Sequence, residues 1–173
     1  MTGSSLTPSP TPTPADLAIV SAQLGRPVRD VVAIAARCVC GAPTVVSTKP
    51  RLGDGTPFPT FYYLTHPAAT SSLSELEGDH VMNEFTQLLA DQPEIRADYE
   101  RAHEAYLAAR EAVGAVDEIV GISAGGMPTR VKCLHALAGH ALAVGPGVNP
   151  IGDLALERAT WSPNVCACIP YDV

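Results

Sequence analysis

Residues able to bind a metal or an anion concentrate between positions 121 and 153, where two glycine loops flank one cysteine and two histidines. Cysteine thiolates and histidine imidazoles are good ligands for zinc, which prefers four of them in a tetrahedron. Cys133 lies in this segment, whereas Cys38 and His66 each end a predicted strand. If both strand ends face the helix that carries Cys133, the three side chains converge on one ion.

The fourth metal ligand is open on sequence grounds. His140 is the first candidate, and the other candidates are Cys40, His135 and Cys166. Cys133 and His140 share a helix face but stand about 10 Å apart along the axis, and His135 points away from Cys133. The helix alone therefore cannot form the site. The alternative is that Cys133 is a buried apolar thiol and the histidines are hydrogen-bonded core residues.

Zinc is the expected cofactor, because a mixed set of thiolates and imidazoles suits its tetrahedral coordination. An iron–sulfur cluster usually requires four thiolates and is the weaker alternative.

A second hypothesis is an anion site at the first glycine loop. The sequence predicts a helix that starts at Pro128, so its first amides would attract a phosphate or a carboxylate. The residues of this site are Gly125, Gly126, Thr129, Arg130 and Lys132. The chain lacks GxxxxGK[ST] and GxGxxG, and the alternative is that the glycines only turn the chain.

Four further residues could contribute to a functional site. Arg51 could approach the anion from a loop between strands, and Asn149 begins a second helix after a glycine loop. His103 and Asp153 are candidate acid–base groups. Glu104 follows His103, but no second histidine completes an HExxH motif, so a metalloprotease is excluded.

The elements that must position these residues form an α+β fold, with a small antiparallel sheet of about three strands and five to six helices. Pro, Ser and Thr dominate residues 1–13, which predicts a disordered tail before a single domain at 14–173. The predicted strands are 30–38, 44–48 and 60–65. The predicted helices are 14–25, 68–77, 81–90, 93–113, 128–144 and 150–160.

Composition limits the classes of partner. The 173 residues carry a net charge of −7, which disfavours nucleic acids and anionic membranes as partners. The sequence contains neither a long apolar run nor a secretory signal, so we expect a cytoplasmic protein. Its five cysteines are then better explained as ligands or thiols than as disulfides. The expected partner is an anionic small molecule, and the oligomeric state is open.

Five segments resemble an uncharacterised actinobacterial family, domain of unknown function 501, between Leu17 and Trp161. They are RCVCG, PRLGDGTPFPTFYYLTHP, AHEAYLAAR, SAGGMPTRVKCLH and GPGVNPIGD. The resemblance implies a cytosolic protein encoded near septum-formation initiators and exopolyphosphatases, which is association rather than mechanism. The resemblance implies that members of the family often have Cys at the position of His66, so a potential metal ligand is kept there. At the position of Cys40 they often have another residue, which argues against Cys40 as an essential metal ligand. Cys168 is a still weaker candidate.

Three functions are consistent with these observations. The first is a metal-binding module of unknown activity with an anion or small-ligand site. The second is a metal-dependent hydrolase of a phosphate-bearing or acidic small molecule, with Asp153, His135 or His140 as acid or base. Arg130 and Lys132 would then hold the substrate charge. The third is a cell-division-associated interaction protein. Whether the chain is an enzyme depends on coordination, since a closed four-ligand site is structural and an open one catalytic.

Overall fold

A three-stranded antiparallel sheet and six α-helices make up the part of the chain, residues 11–171, that the computed structural model describes. The strands are β1 Val31–Arg37, β2 Pro43–Thr48 and β3 Tyr62–Leu64. The helices are α1 Pro14–Leu24, α2 Pro67–Gly78, α3 Val81–Asp91, α4 Pro93–Val113, α5 Leu134–Val144 and α6 Pro150–Arg158, with a 3₁₀ helix at Asp117–Ile119. The α+β prediction is confirmed, while residues 1–10 of the predicted tail lie outside the described residues.

Capping residues delimit the first helix, α1, at both ends. Thr13 and Asp16 form a reciprocal capping box at the N-terminus, and Gly25 ends the helix in the left-handed conformation. Asp16 also accepts two hydrogen bonds from the guanidinium of Arg37, at 2.7 and 3.0 Å. The same guanidinium donates to the carbonyl of Gly41, so α1 is tied to the turn that follows β1.

The sheet has a different partner on each face. The central strand, β2, is buried along all six residues. On one face, Val46 and Ile34 pack against Val20 of α1. On the other face, Val45 and residues of β3 join the main core, to which α5 contributes most of its length. The alternation of side chains along β2 therefore separates two apolar layers.

The closest packing in the fold surrounds α5. A Cβ atom at Gly139 would lie 3.4 Å from the carbonyl oxygen of Tyr62, so the helix backbone approaches β3 directly. A Cβ atom at Gly152 would overlap the carbonyl oxygen of Leu137, so α6 packs still more closely on the other side of α5. Glycine is therefore a steric requirement at position 152, whereas the 3.4 Å spacing at position 139 is an ordinary contact.

A buried guanidinium holds the segment between α4 and α5. Arg110 is only 2% exposed and donates to the carbonyl oxygens of Pro59, Ile119 and Ile122, at 2.6 to 2.9 Å. Burial lowers the pKa of Arg110, and the three carbonyl oxygens replace part of its lost hydration. No described helix combines the length and the apolar composition that crossing a membrane requires.

Two predicted boundaries are wrong. The helix predicted from Pro128 begins only at Leu134, because Gly125 and Gly126 have positive φ and turn the chain back on itself. The amide of Lys132 then donates to the carbonyl of Gly125. Strand β3 is shorter than predicted. The amides of Phe61 and Tyr62 donate to the hydroxyl of Tyr106, which draws the start of this segment towards α4.

Replacing Gly152 by Ala tests the contact between α5 and α6. The new methyl group overlaps backbone, which cannot move as a side chain can, so we expect the free energy of unfolding to fall by about 3 kcal/mol. Urea denaturation measures the change. Gly78→Ala is the matched control, since a Cβ atom there meets nothing within 4 Å. Equal stability of the two variants would contradict the contact.

Asp16→Asn tests the link between α1 and β1. Hydrogen bonding to Arg37 holds the pKa of Asp16 well below the ordinary range of an aspartate carboxyl. A depressed carboxyl pKa stabilises the fold above the unfolded-state pKa, and that stabilisation is lost as pH falls through the lower folded value. We expect a loss of about 2 kcal/mol at pH 7, after discounting for the partly exposed Arg37.

The difference between wild type and Asp16→Asn should shrink as pH is lowered below about 4, where the wild-type carboxyl begins to lose its advantage. Denaturant titrations at several pH values measure this trend. Asp79→Asn, at an exposed position after α2, is the matched control and should be neutral throughout.

Candidate metal centre

Four cysteines from two segments that are distant in the sequence lie close together in the structure. Cys38 and Cys40 follow β1, and Cys166 and Cys168 lie in the segment after α6. Their sulfur atoms all lie within 4.8 Å of one another, and each cysteine is a free thiol. We call these residues the four-cysteine cluster. Cys38 is buried, Cys168 is half-buried, and the other two are exposed, so the cluster lies at the surface.

The turn between β1 and β2 positions the first pair of thiols. The amide of Cys38 donates to the carbonyl of Ala42, and the amide of Gly41 donates back to the carbonyl of Cys38, both at 2.8 Å. Gly41 has a φ of 91°, which favours glycine. The C-terminal segment docks on this turn, because the amide of Val39 donates to the carbonyl of Pro163 at 2.9 Å.

The spacing of the sulfur atoms suits one tetrahedral ion. With a zinc–sulfur bond of about 2.3 Å, neighbouring sulfurs of a tetrahedral site stand about 3.8 Å apart. The sulfurs of Cys40 and Cys168 are 3.4 Å apart, and every other pair lies within the 4.8 Å limit. A disulfide would instead require about 2.05 Å between the two sulfurs. The four thiols can therefore surround a single metal ion with small adjustments.

The thiols also influence one another electrostatically. The backbone of Ala42 and then the thiols of Cys168 and Cys166 lower the pKa of Cys40 to about 7. Burial, followed by the neighbouring thiols, raises the pKa of Cys168. One thiolate forms readily, and each further negative charge is opposed by those already present. A bound cation would remove this repulsion and displace the remaining protons.

His66 lies beside the cluster as a hydrogen-bonding partner. Its Nδ1 accepts the amide of Ala69 at the start of α2, so in the neutral ring the proton is on Nε2. Nε2 lies 3.1 Å from the sulfur of Cys168, to which it can donate. The ring is 1% exposed and packs against Trp161, with ring centroids 5.2 Å apart. His66 therefore orients and stabilises a thiolate, in the manner of an outer-shell residue.

The structure does not bring Cys133 to this cluster. Because α5 begins at Leu134, Cys133 is its N-cap, and it groups instead with Glu77 of α2 and His135, within 4.8 Å. His140 is fully buried in the core, stacked on Tyr62 with ring centroids 5.6 Å apart. Cys38, His66, Cys133 and His140 therefore do not converge as expected. Cys38 and His66 lie at the four-cysteine cluster, Cys133 lies with Glu77 and His135, and His140 lies in the core.

The environment of His140 is that of a neutral ring. Its Nδ1 lies 3.1 Å from the amide nitrogen of Asn149, which can only donate. Burial lowers the pKa of His140 to about 4. Asn149 in turn accepts the amide of Gly152 and caps α6, so its role is structural.

The predicted anion site is occupied by the chain itself. The amides of Thr129 and Arg130 donate to the carbonyl of Gly126. A Cβ atom at Gly125 would lie 2.6 Å from the side chain of Leu137, and one at Gly126 would lie 2.7 Å from the carbonyl of Arg130. The two glycines therefore serve chain reversal and close packing. Lys132 is exposed, and its amide is likewise bonded within the loop.

The remaining candidates have local partners. Arg51 forms an ion pair with Glu118 at 2.6 Å. His103 is buried, with its Nδ1 2.7 Å from the hydroxyl of Ser123. Asp153 accepts the amide of Gly147 at 2.8 Å. These contacts do not gather the three residues into one site with the glycine loop.

Sequence reasoning named Cys166 only as a possible fourth ligand, doubted Cys40 and Cys168 as ligands, and missed two features of these centres. Cys166 and Cys168 repeat the CxC spacing of Cys38 and Cys40, and that repetition is a signal for a paired metal site. The segment around them has no regular periodicity, so nothing local indicates where it docks. Glu77 carries no signal at all, because its contact with His135 joins two helices distant in sequence.

Comparison with known families matches residues 34–157 to the family described as "Protein of unknown function (DUF501)". The match confirms the family resemblance found in the sequence. It covers Cys38, Cys40 and Cys133 and ends before Cys166 and Cys168. No curated protein and no solved structure matches the chain.

His66→Asn tests the outer-shell role of this residue. Asn can still cap α2 but is too short to reach the sulfur of Cys168. We expect the affinity for added Zn²⁺ to fall about 10-fold to 100-fold, with the stoichiometry unchanged. Competition with a chelator measures this affinity. His80→Asn, at an exposed position before α3, is the matched control and should bind Zn²⁺ as wild type does. Loss of a whole equivalent would make His66 a direct ligand.

Proposed function

The chain belongs to the DUF501 family, and we propose that it is a zinc-binding domain whose four-cysteine cluster holds one structural ion. The observation that carries this proposal is the mutual approach of four sulfur atoms to within 4.8 Å. Two of them come from the turn after β1, and two come from the segment after α6. One ion therefore fastens the end of the described chain to the sheet.

The ligand set favours zinc over other metals. Four thiolates are soft donors, which select zinc or iron–sulfur clusters over magnesium, calcium or manganese. A cluster of several irons needs more room between its cysteine sulfurs than a single ion does. The 3.4 Å separation of the Cys40 and Cys168 sulfurs is short and suits the single ion.

A structural role is favoured because the ligand set is closed. Catalytic zinc keeps one position for water or substrate, whereas four protein ligands fill the tetrahedron. The hydrolase alternative also needs an acid or base beside the ion. His140 is a buried core ring, Asp153 accepts a loop amide, and His135 groups with Glu77 and Cys133 rather than with the four-cysteine cluster, so none of the three supports that chemistry there. The geometry thus supports a metal-stabilised binding or regulatory module over a metal-dependent hydrolase.

The location of the ligands in the chain gives the ion a large effect on stability. Residues 41–165, most of the 173-residue chain, lie between the two cysteine pairs, and cross-links that close long loops restrict the unfolded chain most. Metal binding to such a site is coupled to folding, because the unfolded chain does not preform it. The thiolates must also stay reduced, which favours the cytoplasm as the place where the protein works.

Elemental analysis of protein purified without chelator tests the site. We expect Cys38→Ser and Cys166→Ser to lose one equivalent of zinc that wild type carries. Cys133→Ser is the matched control, since Cys133 lies outside the cluster, and it should keep that equivalent. Well-folded wild type without metal would overturn the proposal, as would a Cys166→Ser variant that retains its full zinc content.

Thermal unfolding gives a second measurement on the same proteins. Removing zinc from wild type with a chelator should lower Tm by at least about 5 °C, because a ligand that binds only the folded state stabilises it. Adding Zn²⁺ back should restore the original Tm. Cys166→Ser should show the lower Tm from the outset and no response to the chelator.

A further inference from the structure

A second cluster of reactive side chains lies apart from the four cysteines. One side-chain donor atom from each of Glu77, Cys133 and His135 lies within 4.8 Å of the others. All three residues are half-buried. Cys133 and His135 line a cavity of about 450 Å³, together with Tyr62, Tyr63 and Lys132. A thiol and an imidazole thus line a space large enough for a small molecule, and the carboxylate of Glu77 lies within 4.8 Å of both.

Cys133 occupies the N-cap of α5, and its side chain makes no capping hydrogen bond. The helix N-terminus carries partial positive charge from its unsatisfied amides, which favours a negative group there. The amide of Leu134 already donates to Glu77, at 2.7 Å. The sulfur therefore lies at an electropositive helix end and does not cap the helix.

His135 adds a positive charge beside the thiol. Its Nδ1 lies 3.0 Å from the carboxylate of Glu77, and its Nε2 lies 3.1 Å from the carbonyl oxygen of Thr70. Nε2 also lies 3.2 Å from the hydroxyl of Ser74, which itself donates to the carbonyl of Thr70. These contacts accommodate a ring protonated on both nitrogens, since the carboxylate and the carbonyl only accept hydrogen bonds. The side chains of Cys133 and then Glu77 raise the pKa of His135 to about 9. The ring is therefore a cation at neutral pH.

The same hydrogen bonds argue against a second metal ion at this place. A metal ligand needs a free lone pair, and the carboxylate of Glu77 holds a proton on Nδ1 of His135 that a metal at this nitrogen would have to displace. Glu77 Oε1 already accepts from Leu134 and from His135. Thiolate nucleophiles, in contrast, are favoured at helix N-termini and beside cationic side chains.

We propose that Cys133 is the nucleophile of a second site, which binds a small carboxylate-bearing electrophile in the cavity and bonds it covalently to Sγ. Tyr62 and Leu64, which alternate onto one face of β3, contact the carbon skeleton, and His135 and Lys132 attract the carboxylate. In the reaction a bond forms between Sγ and the electrophilic carbon. The bond from that carbon to the leaving group breaks, the leaving group departs with the electron pair, and the thiol proton passes to solvent.

Alkylation of the zinc-replete full chain tests the proposal, with iodoacetate as the anionic probe and iodoacetamide as the neutral one. Peptide mass spectrometry follows each cysteine separately at pH 7. We expect Cys133 to react with iodoacetate at least about 10-fold faster than free glutathione does. The ratio of the iodoacetate rate to the iodoacetamide rate should also exceed that of glutathione, because the site attracts the carboxylate.

Two variants identify the source of the reactivity. His135→Asn removes the neighbouring cation and should slow the alkylation of Cys133 about 10-fold with iodoacetamide, and by a larger factor with iodoacetate, because His135 also attracts the carboxylate. His80→Asn is the matched control and should react as wild type does. Lys132→Gln alters an exposed side chain and should lower the preference for iodoacetate, while the rate with iodoacetamide stays the same. This second variant keeps the test decisive if His135→Asn is unstable.

Two results would overturn the proposal. One is alkylation of Cys133 no faster than that of glutathione, with no preference for iodoacetate. The other is a second zinc equivalent in wild type that Cys133→Ser loses, which would make the group a metal site. Neither result bears on the four-cysteine cluster, whose zinc content is measured in the Cys38 and Cys166 variants.

Discussion

The close packing of α5 between β3 and α6 is the constraint on which the rest of the structure depends. The helix backbone meets the sheet at Gly139, and the absence of a side chain at Gly152 lets α6 meet the helix backbone. The ring of His140 fills the space between Tyr62 and Tyr106 at the centre of this layer. With α5 packed on both sides, its N-terminus points towards α2. There the amide of Leu134 donates a hydrogen bond to the carboxylate of Glu77.

Helix α2 connects the two chemically distinct centres. Its N-cap, His66, lies against Cys168 of the four-cysteine cluster, and Glu77 near its other end binds His135. The two contacts stand about 16 Å apart along the helix axis. A thiol-rich site suited to a closed metal centre and a single thiol beside a cation are thus held by one rigid element. Their chemistry differs because one set of sulfurs is mutually close and the other sulfur is isolated.

Local signals in the sequence predicted most of the fold. Thr13, Pro14 and Gly25 delimit α1 because capping and backbone preferences act over a few residues. The same reasoning, with the periodic apolar stripe, locates α4 at Pro93–Val113. It failed at Pro128, since a proline that suits a first helical turn also suits a loop. The positive φ values of Gly125 and Gly126, which decide between the two, depend on packing against Leu137 and Lys132.

The sequence by itself determined the fold class, the family and the chemical character of the candidate residues, because propensity, periodicity and side-chain type are local properties. It also singled out Cys38, Cys133 and His66 as residues of interest. Only the tertiary structure decided which of them meet. Cys166 and Cys168 join Cys38 through a docked segment without periodicity, and Cys133 joins Glu77 across two helices. Such groupings arise from contacts between residues far apart in the chain, which residue spacing within one element cannot specify.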